Sequence, residues 1–230
     1  MMKLNHVSFI MDGNRRWERA SISEKKASGH EMGLLNMMEI IKYCSGKIDE
    51  ISFFTFSSDN WNRSIKEIYK IMKLASKYSS LLIEECASMN IRCKFIGDLK
   101  NLPDFVYEEV IDIERKTKNN TGMKLYIAIN YSGRKAILEA CKSSFYKHIK
   151  SGKSSIDMTE SCFSSEVSPF SNDPDICIRT GGGKRISDFL LWNFSYTEFF
   201  FEEKLWPDFG IKDFEKIISK CSSIRKNLGS

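Results

Sequence analysis

The apolar positions of this chain follow two rhythms that alternate from end to end. Short continuous runs have the length of buried strands, and longer segments between them repeat apolar residues at helical spacing. Val7–Met11, Ile51–Phe56, Ile91–Ile96, Met123–Ile129, Ile176–Ile178 and Glu198–Phe201 read as strands. Arg15–Ala20 reads as a short helix. Gly29–Ser45 reads as a longer one, with Leu34, Leu35, Met37, Met38, Ile40 and Ile41 as its apolar positions. Ser64-Ile65-Lys66-Glu67 has the form of a capping box, and the apolar period from Ile68 through Ile71, Met72, Ala75, Tyr78, Leu82 and Ile83 carries a helix on to about Met89. Pro103 suits the first turn of a helix bearing Val106, Val110 and Ile113. After a turn at Asn119–Gly122, further helices are expected over Arg134 to Lys150 and around Asp213–Arg225. The run Phe189–Phe194 has the length of a strand or a short helix. The stretch Ser151–Ser171 is Ser-rich and weakly periodic, so 151–172 is expected to be a mobile connection or a poorly formed helix.

Strands buried on both faces and joined by helices predict an α/β fold. It is a single domain over residues 1–230, with a mostly parallel central sheet of about six strands flanked by helices. Composition narrows the class. A chain of 230 residues that is 42% hydrophobic can build a substantial core, and no apolar stretch reaches the length of a membrane span. The amino terminus lacks the apolar segment of a secretory signal, so a cytoplasmic protein is expected. A net charge of +5, with basic residues scattered among acidic ones, suits an anionic small molecule or a membrane surface and falls short of a nucleic-acid footprint. The seven cysteines form no CxxC pair and have no histidine at ligand spacing, which reads as reduced, mostly buried thiols.

The first strand runs into Asp12-Gly13-Asn14-Arg15-Arg16-Trp17. A strand-to-helix junction of this composition suits an anion, because backbone N–H groups and guanidinium forks converge there. Asp12 can hold a divalent cation or handle a proton, and an ion-paired surface turn would explain the same residues. Polar clusters also follow the other strands: Ser57-Ser58-Asp59-Asn60-Trp61-Asn62-Arg63, Gly97-Asp98, Asn130-Tyr131-Ser132-Gly133-Arg134, and Arg179-Thr180-Gly181-Gly182-Gly183-Lys184-Arg185. Open parallel sheets bind ligands beyond the carboxyl ends of their strands, so these loops together make a phosphate site on one rim. Neither GxxxxGK[ST] nor GxGxxG occurs, which leaves a nucleotide-hydrolysing loop and a dinucleotide fold unsupported.

His6–Trp17, Ser28-Gly29-His30, Phe56–Arg63, Phe95–Asp98, Asn130–Arg134, Asp175–Gly182 and Leu205–Phe209 resemble, in order, the motifs of the cis-prenyltransferases, in particular the bacterial undecaprenyl diphosphate synthase type. The resemblance spans nearly the whole chain and implies elongation of an allylic diphosphate, typically farnesyl diphosphate, by repeated addition of isopentenyl diphosphate with Mg²⁺. It implies catalytic roles for Asp12 and Asn60. Gly13, Asn14, Arg15, Arg16, Trp17, Lys26 and His30 would hold the allylic diphosphate. Ser57, Ser58, Asp59, Trp61, Arg63, Arg179, Arg185 and Ser187 would hold isopentenyl diphosphate, and Asp12 and Glu198 would be the metal-associated acids. As a base Asn60 is chemically poor, so Asp12 or the released diphosphate remains an alternative proton acceptor.

The growing chain would need an apolar tunnel, for which Leu34, Leu35, Met38, Ile71, Met72, Leu74, Ala75, Tyr78 and Leu82 are candidates. A homodimer, peripheral membrane contact for product release and no nucleic-acid partner follow from the same resemblance. Departures from the family pattern stand at Lys26, Asp59, Ser132, Gly183 and Asn227. Two alternatives are a non-catalytic scaffold subunit, whose kind lacks the Asp-Gly-Asn motif present here, and a trans-prenyltransferase. The latter needs Asp-Asp-x-x-Asp on an all-helical pattern, and neither is found.

Overall fold

The computed structural model describes residues 4–20, 27–152 and 158–223. Its six strands are β1 (His6–Ile10), β2 (Glu50–Ser57), β3 (Arg92–Ile96), β4 (Lys124–Tyr131), β5 (Ile176–Arg179) and β6 (Glu198–Phe201). They form one sheet in the order β3-β4-β2-β1-β5-β6, and every pairing is parallel. The helices are α1 (Asn14–Ala20), α2 (Gly29–Cys44), α3 (Ile65–Lys77), α4 (Ser79–Ser88), α5 (Asp104–Thr117), α6 (Gly133–Ser151), α7 (Glu160–Val167) and α8 (Ile211–Ser223). The expected α/β sheet is therefore present, and parallel throughout.

The alternation of side chains along the strands splits the core between two faces. Phe9 stacks on Phe53 with centroids 5.1 Å apart, and both pack beneath Trp206, with Phe214 of α8 edge-on to Phe9. Ile10, Phe54, Ala128 and Cys177 point the other way, against Phe189, Leu190 and Phe194. At the amino end of that second face His6, Ser8 and Ser52 form a buried chain: His6 Nε2 lies 3.0 Å from Ser52 Oγ, which is 2.6 Å from Ser8 Oγ. Glu50, 1% exposed, accepts from Lys124 Nζ and from the backbone N–H groups of Ser171 and Asn172, so the segment before β5 closes over this end of the sheet.

Several expectations shift. The single helix expected from Ser64 to about Met89 is two, because the chain leaves helical geometry at Tyr78 (φ −103°, ψ 6°) and restarts at Ser79. Within the Ser-rich segment, Glu160–Val167 is a helix. Thr159 caps it, Phe163 lies edge-on to Trp192, and Glu166 is tied to Ser143 and Lys147 of α6. Phe189–Phe194 is neither strand nor helix. It is a largely buried turn with Leu190 at positive φ, as are Ser187 and Asp188 just before it. The part of the last helix expected beyond Ser223, and Asn227 with it, lies outside the described residues. Five cysteines are buried and all seven are free, while Cys141 and Cys162 are exposed. Burial pushes the Cys44 thiol up to about 12. Among the described residues, no helix is long and apolar enough to cross a membrane.

Candidate active site at the switch point of the sheet

From β1 the chain passes to β2 on one side and later returns to place β5 on the other, so the carboxyl ends of β1 and β5 flank a topological switch point. Asp12 leaves β1 there and Arg179 ends β5, and the two meet: Arg179 Nη2 donates to Asp12 Oδ2 at 3.0 Å. Arg179 is 4% exposed. Its Nη1 donates to the Arg185 carbonyl at 2.5 Å and to Ser187 Oγ at 2.7 Å. The expected grouping of Arg179 with Ser187 is thus present, whereas Arg185 contributes its carbonyl and leaves its own side chain exposed. Arg16 spans the same junction. Its Nη2 donates to the Gly181 carbonyl at 2.6 Å and lies 3.4 Å from Asp12 Oδ1.

Gly13 makes this junction possible for a reason other than phosphate contact. Its φ of +113° disfavours other residues, and a Cβ there would lie 2.9 Å from Leu205 Cδ2 and 3.0 Å from Leu205 Cα. Gly183 serves close approach as well. A Cβ at that position would sit 2.9 Å from Arg179 Nε, so the missing side chain lets the buried guanidinium lie against the loop.

Met11, Asp12, Gly13, Asn14, Arg15, Arg16, Arg19, His30 and Arg63 line a groove. Four arginines and a histidine face one carboxylate, which is a field for a polyanion. Burial, then the nearby Arg63 charge, holds the His30 pKa below its ordinary value, against the opposing pull of Glu67 and Glu18. The groove shares Met11, Asn14 and His30 with an apolar cavity enclosing about 1000 Å³ of empty space, its open mouth included. Of the tunnel candidates, Leu34, Met38, Ile71, Met72, Leu74, Ala75, Tyr78 and Leu82 line it; Leu35 does not, and Met37 does. Val106, Val110 and Ile113 of α5 complete the wall, together with one carboxylate, Glu109, which accepts from Ser76 Oγ at 3.3 Å.

Buried polar atoms normally find partners. Among the described residues four buried side-chain atoms lack a hydrogen bond, and three of them belong here: Asn14 Oδ1, His30 Nε2 and Arg179 Nε.

Other expected residues lie away from the groove lining. Trp17 faces inward, 6% exposed, and donates from Nε1 to Asp208 Oδ1 at 2.7 Å, so it braces α1 against the Trp206–Asp208 turn and does not line the groove. Ser57, Ser58, Asp59, Asn60 and Trp61 form a tight turn after β2. Asn60 Oδ1 accepts from the Ser57 N–H at 3.3 Å, and Trp61 Nε1 donates to Asn130 Oδ1 at 2.8 Å. Of that loop only Arg63 lines the groove. Glu198 opens β6 opposite Ile176, whereas Arg179 pairs with Phe201. Three strand steps, about 10 Å, therefore separate Glu198 from the rim that carries Asp12, and the two do not form one metal site within this chain. Among the described residues no group of three or more acidic, histidine or cysteine side chains is arranged for a metal ion. Lys26 lies outside the described residues.

Three acidic or basic groups escaped the sequence reading. Arg19 follows Arg15 by one helical turn, a spacing that could have disclosed it. Glu203 follows β6, and its carboxylate lies over the Gly181–Gly182 turn, where a Cβ on Gly182 would come within 2.5 Å of it. Glu67 matches a helix cap in the sequence, and nothing local to it discloses the cations around its carboxylate.

A basic groove with one carboxylate, opening into a long apolar cavity, defines a protein for amphiphiles with a phosphate head and a hydrocarbon tail. The chain belongs to the undecaprenyl diphosphate synthase family of cis-prenyltransferases, whose family model matches residues 10–229. It is 36% identical over 226 residues to an isoprenyl transferase of Staphylococcus haemolyticus, covering 97% of this chain and 88% of that protein. It is 35% identical over 225 residues to the ditrans,polycis-undecaprenyl-diphosphate synthase ((2E,6E)-farnesyl-diphosphate specific) of Micrococcus luteus, covering 96% and 88%. In three dimensions it matches the crystal structure of lavandulyl diphosphate synthase from Lavandula x intermedia in complex with dimethylallyl diphosphate. There the TM-score is 0.92, with 30% identity over 99% of both chains. The chain is accordingly a cis-prenyltransferase of the undecaprenyl diphosphate synthase type, whose family substrates are isopentenyl diphosphate and an allylic diphosphate.

Proposed function

We propose that this chain extends farnesyl diphosphate with successive isopentenyl units, in cis geometry, to a long polyprenyl diphosphate such as undecaprenyl diphosphate, and that the product serves lipid-carrier synthesis. The observation that carries the reading is the junction at Met11, Asn14 and His30, where the groove for an anion becomes the cavity for a hydrocarbon. An allylic diphosphate placed across it would rest its head on Arg15, Arg16 and His30 and its tail along α2, α3 and α5.

Arginine forks at the head stabilise the negative charge that grows on diphosphate as the allylic C–O bond breaks. Arg179, beside Asp12, would hold the second diphosphate, with Ser187 and the Arg185 loop fixing the guanidinium plane. Two head groups held in this way would flank Asp12 and would bring the isopentenyl double bond to the allylic carbon. Loss of a proton from the isopentenyl unit completes each addition. Asn60 is a weak base with its carbonyl committed to Ser57, which leaves Asp12 or the released diphosphate as acceptor.

Mg²⁺ suits this donor set, because that ion is commonly held by one or two carboxylates together with substrate phosphates. Asp12 would hold it, and it would neutralise charge on the departing diphosphate. A homodimer fits the stripe Leu138, Phe145, Tyr146 and Ile149 on α6, each more than half exposed. Exposing the apolar tail of so long a product to water is unfavourable, so its release would be at a membrane surface. The scaffold alternative finds no support beside an intact Asp12–Arg179 pair.

The test is product analysis. Purified chain with Mg²⁺, farnesyl diphosphate and labelled isopentenyl diphosphate should yield long polyprenyl diphosphates by mass spectrometry. A short product that stops after one addition would refute the lipid-carrier reading.

A further inference from the structure

Glu67 sits in the first turn of α3 and lines a hollow next to the groove, which shares Arg15, Arg19 and His30 with it. Its Oε1 lies 3.1 Å from Arg63 Nη1, 3.5 Å from Arg15 Nε and 3.8 Å from His30 Nε2. These three groups come from separate elements, α1, α2 and the turn after β2. The Arg15 and Arg63 guanidinium groups would repel one another if nothing negative lay between them. Helix capping does not explain the arrangement, since Ser64 Oγ takes the backbone N–H of Glu67 and leaves the side chain free to point elsewhere. Nor does one carboxylate satisfy the cluster, because His30 Nε2 still lacks a hydrogen bond and is buried.

We propose that Glu67 is a resident anion: its carboxylate holds the place of a diphosphate oxygen among Arg15, His30 and Arg63, and an incoming diphosphate must displace it to bind. This rests on the groove being the diphosphate site proposed above. In that role Glu67 keeps the cations assembled while the groove is empty and sets the affinity that a head group must exceed. It is a specificity-determining residue that opposes binding, so removing its charge should strengthen binding of the anion while weakening the empty protein. A purely structural glutamate would do the second and not the first.

The test is calorimetric titration of the full chain with inorganic diphosphate, alongside thermal unfolding. Glu67→Gln should bind diphosphate roughly fivefold more tightly than wild type, the scale of one partly exposed ion pair released. It should also melt at a lower temperature without ligand and gain more on adding it. Glu67→Asp, one methylene shorter, should show part of the gain and keeps the comparison available if the Gln variant does not fold. The control is Glu31→Gln. Glu31 ties α2 to α3 through Lys77 at 2.6 Å and Tyr78 at 2.8 Å, with the same charge and no groove arginine. Its affinity for diphosphate should equal that of wild type. Unchanged or weaker binding by Glu67→Gln, or an equal gain in Glu31→Gln, overturns the inference. If wild type binds diphosphate and Arg15→Ala abolishes it while Glu67→Gln matches wild type, the resident anion alone is refuted. If wild type itself does not bind diphosphate, the groove assignment falls and this inference with it.

Discussion

An Arg179→Lys substitution keeps the charge at the switch point and removes the fork that distributes it. The guanidinium reaches three acceptors at once: Asp12 Oδ2 at 3.0 Å from one nitrogen, and the Arg185 carbonyl at 2.5 Å and Ser187 Oγ at 2.7 Å from the other. One ammonium on a flexible stem cannot serve both sides, so at least one side is lost in a site where the native group is almost fully buried. A hydrogen bond to a charged group contributes about 1.5–3 kcal/mol, and the Asp12 side chain is 32% exposed, which discounts its share of the loss. We therefore expect a destabilisation of about 2 kcal/mol, or a fall in melting temperature of about 4–8 °C for a chain of this size. Thermal unfolding without ligand reads the first effect, and urea unfolding should show a lower midpoint at unchanged slope. The same change should lower kcat/KM for isopentenyl diphosphate by roughly tenfold or more, because the planar match to phosphate oxygens is gone. A variant that melts with wild type and turns over with wild type would refute the placement of Arg179 as the buried anchor of the site.

Gly183→Glu should push on Arg179 Nε and destabilise by about 1–2 kcal/mol, read as a lower melting temperature; an unchanged one would contradict the close approach. Stability should fall as pH drops from about 7 to 5. Burial holds both His6 and His30 below their ordinary pKa, so the unfolded chain takes up protons near 6.5 that the folded chain refuses until lower pH, and the contribution present above 6.5 is lost on the way down. His30→Asn should flatten part of that slope in melting curves recorded across the range. Phe145→Glu on α6 should shift the chain toward monomer in sedimentation, and a monomeric wild type would contradict the proposed dimer face.

Sheet and helix order were legible because apolar periodicity is local, and the strand-to-helix motifs sit on the rim where an open parallel sheet must bind. What escaped depends on contacts between distant segments. No glycine or proline marks the break at Tyr78, and the helical period runs through it undisturbed. The helix inside the Ser-rich segment is held by Trp192 and α6, which its own sequence does not reveal. Glu198 looked like a partner for Asp12 because both are acids near the family motifs, but strand register puts it at the other end of the sheet. Trp17 and Asn60 stand inside motifs rich in polar groups, and their hydrogen bonds to Asp208 and Ser57 depend on the folded chain and not on the motifs. Glu67 matched a cap, and only the convergence of α1, α2 and the turn after β2 shows the cations around its carboxylate.

The central claim is that the crevice between β1 and β5, with Asp12 in it, carries the condensation. Incorporation of labelled isopentenyl diphosphate by purified wild type and by Asp12→Ala, each with farnesyl diphosphate and Mg²⁺, tests it most directly. The account predicts robust chain growth by wild type and a loss of roughly a hundredfold to a thousandfold in Asp12→Ala, on the scale of removing a key charge-handling group from an active site. Equal incorporation by the two proteins would contradict it.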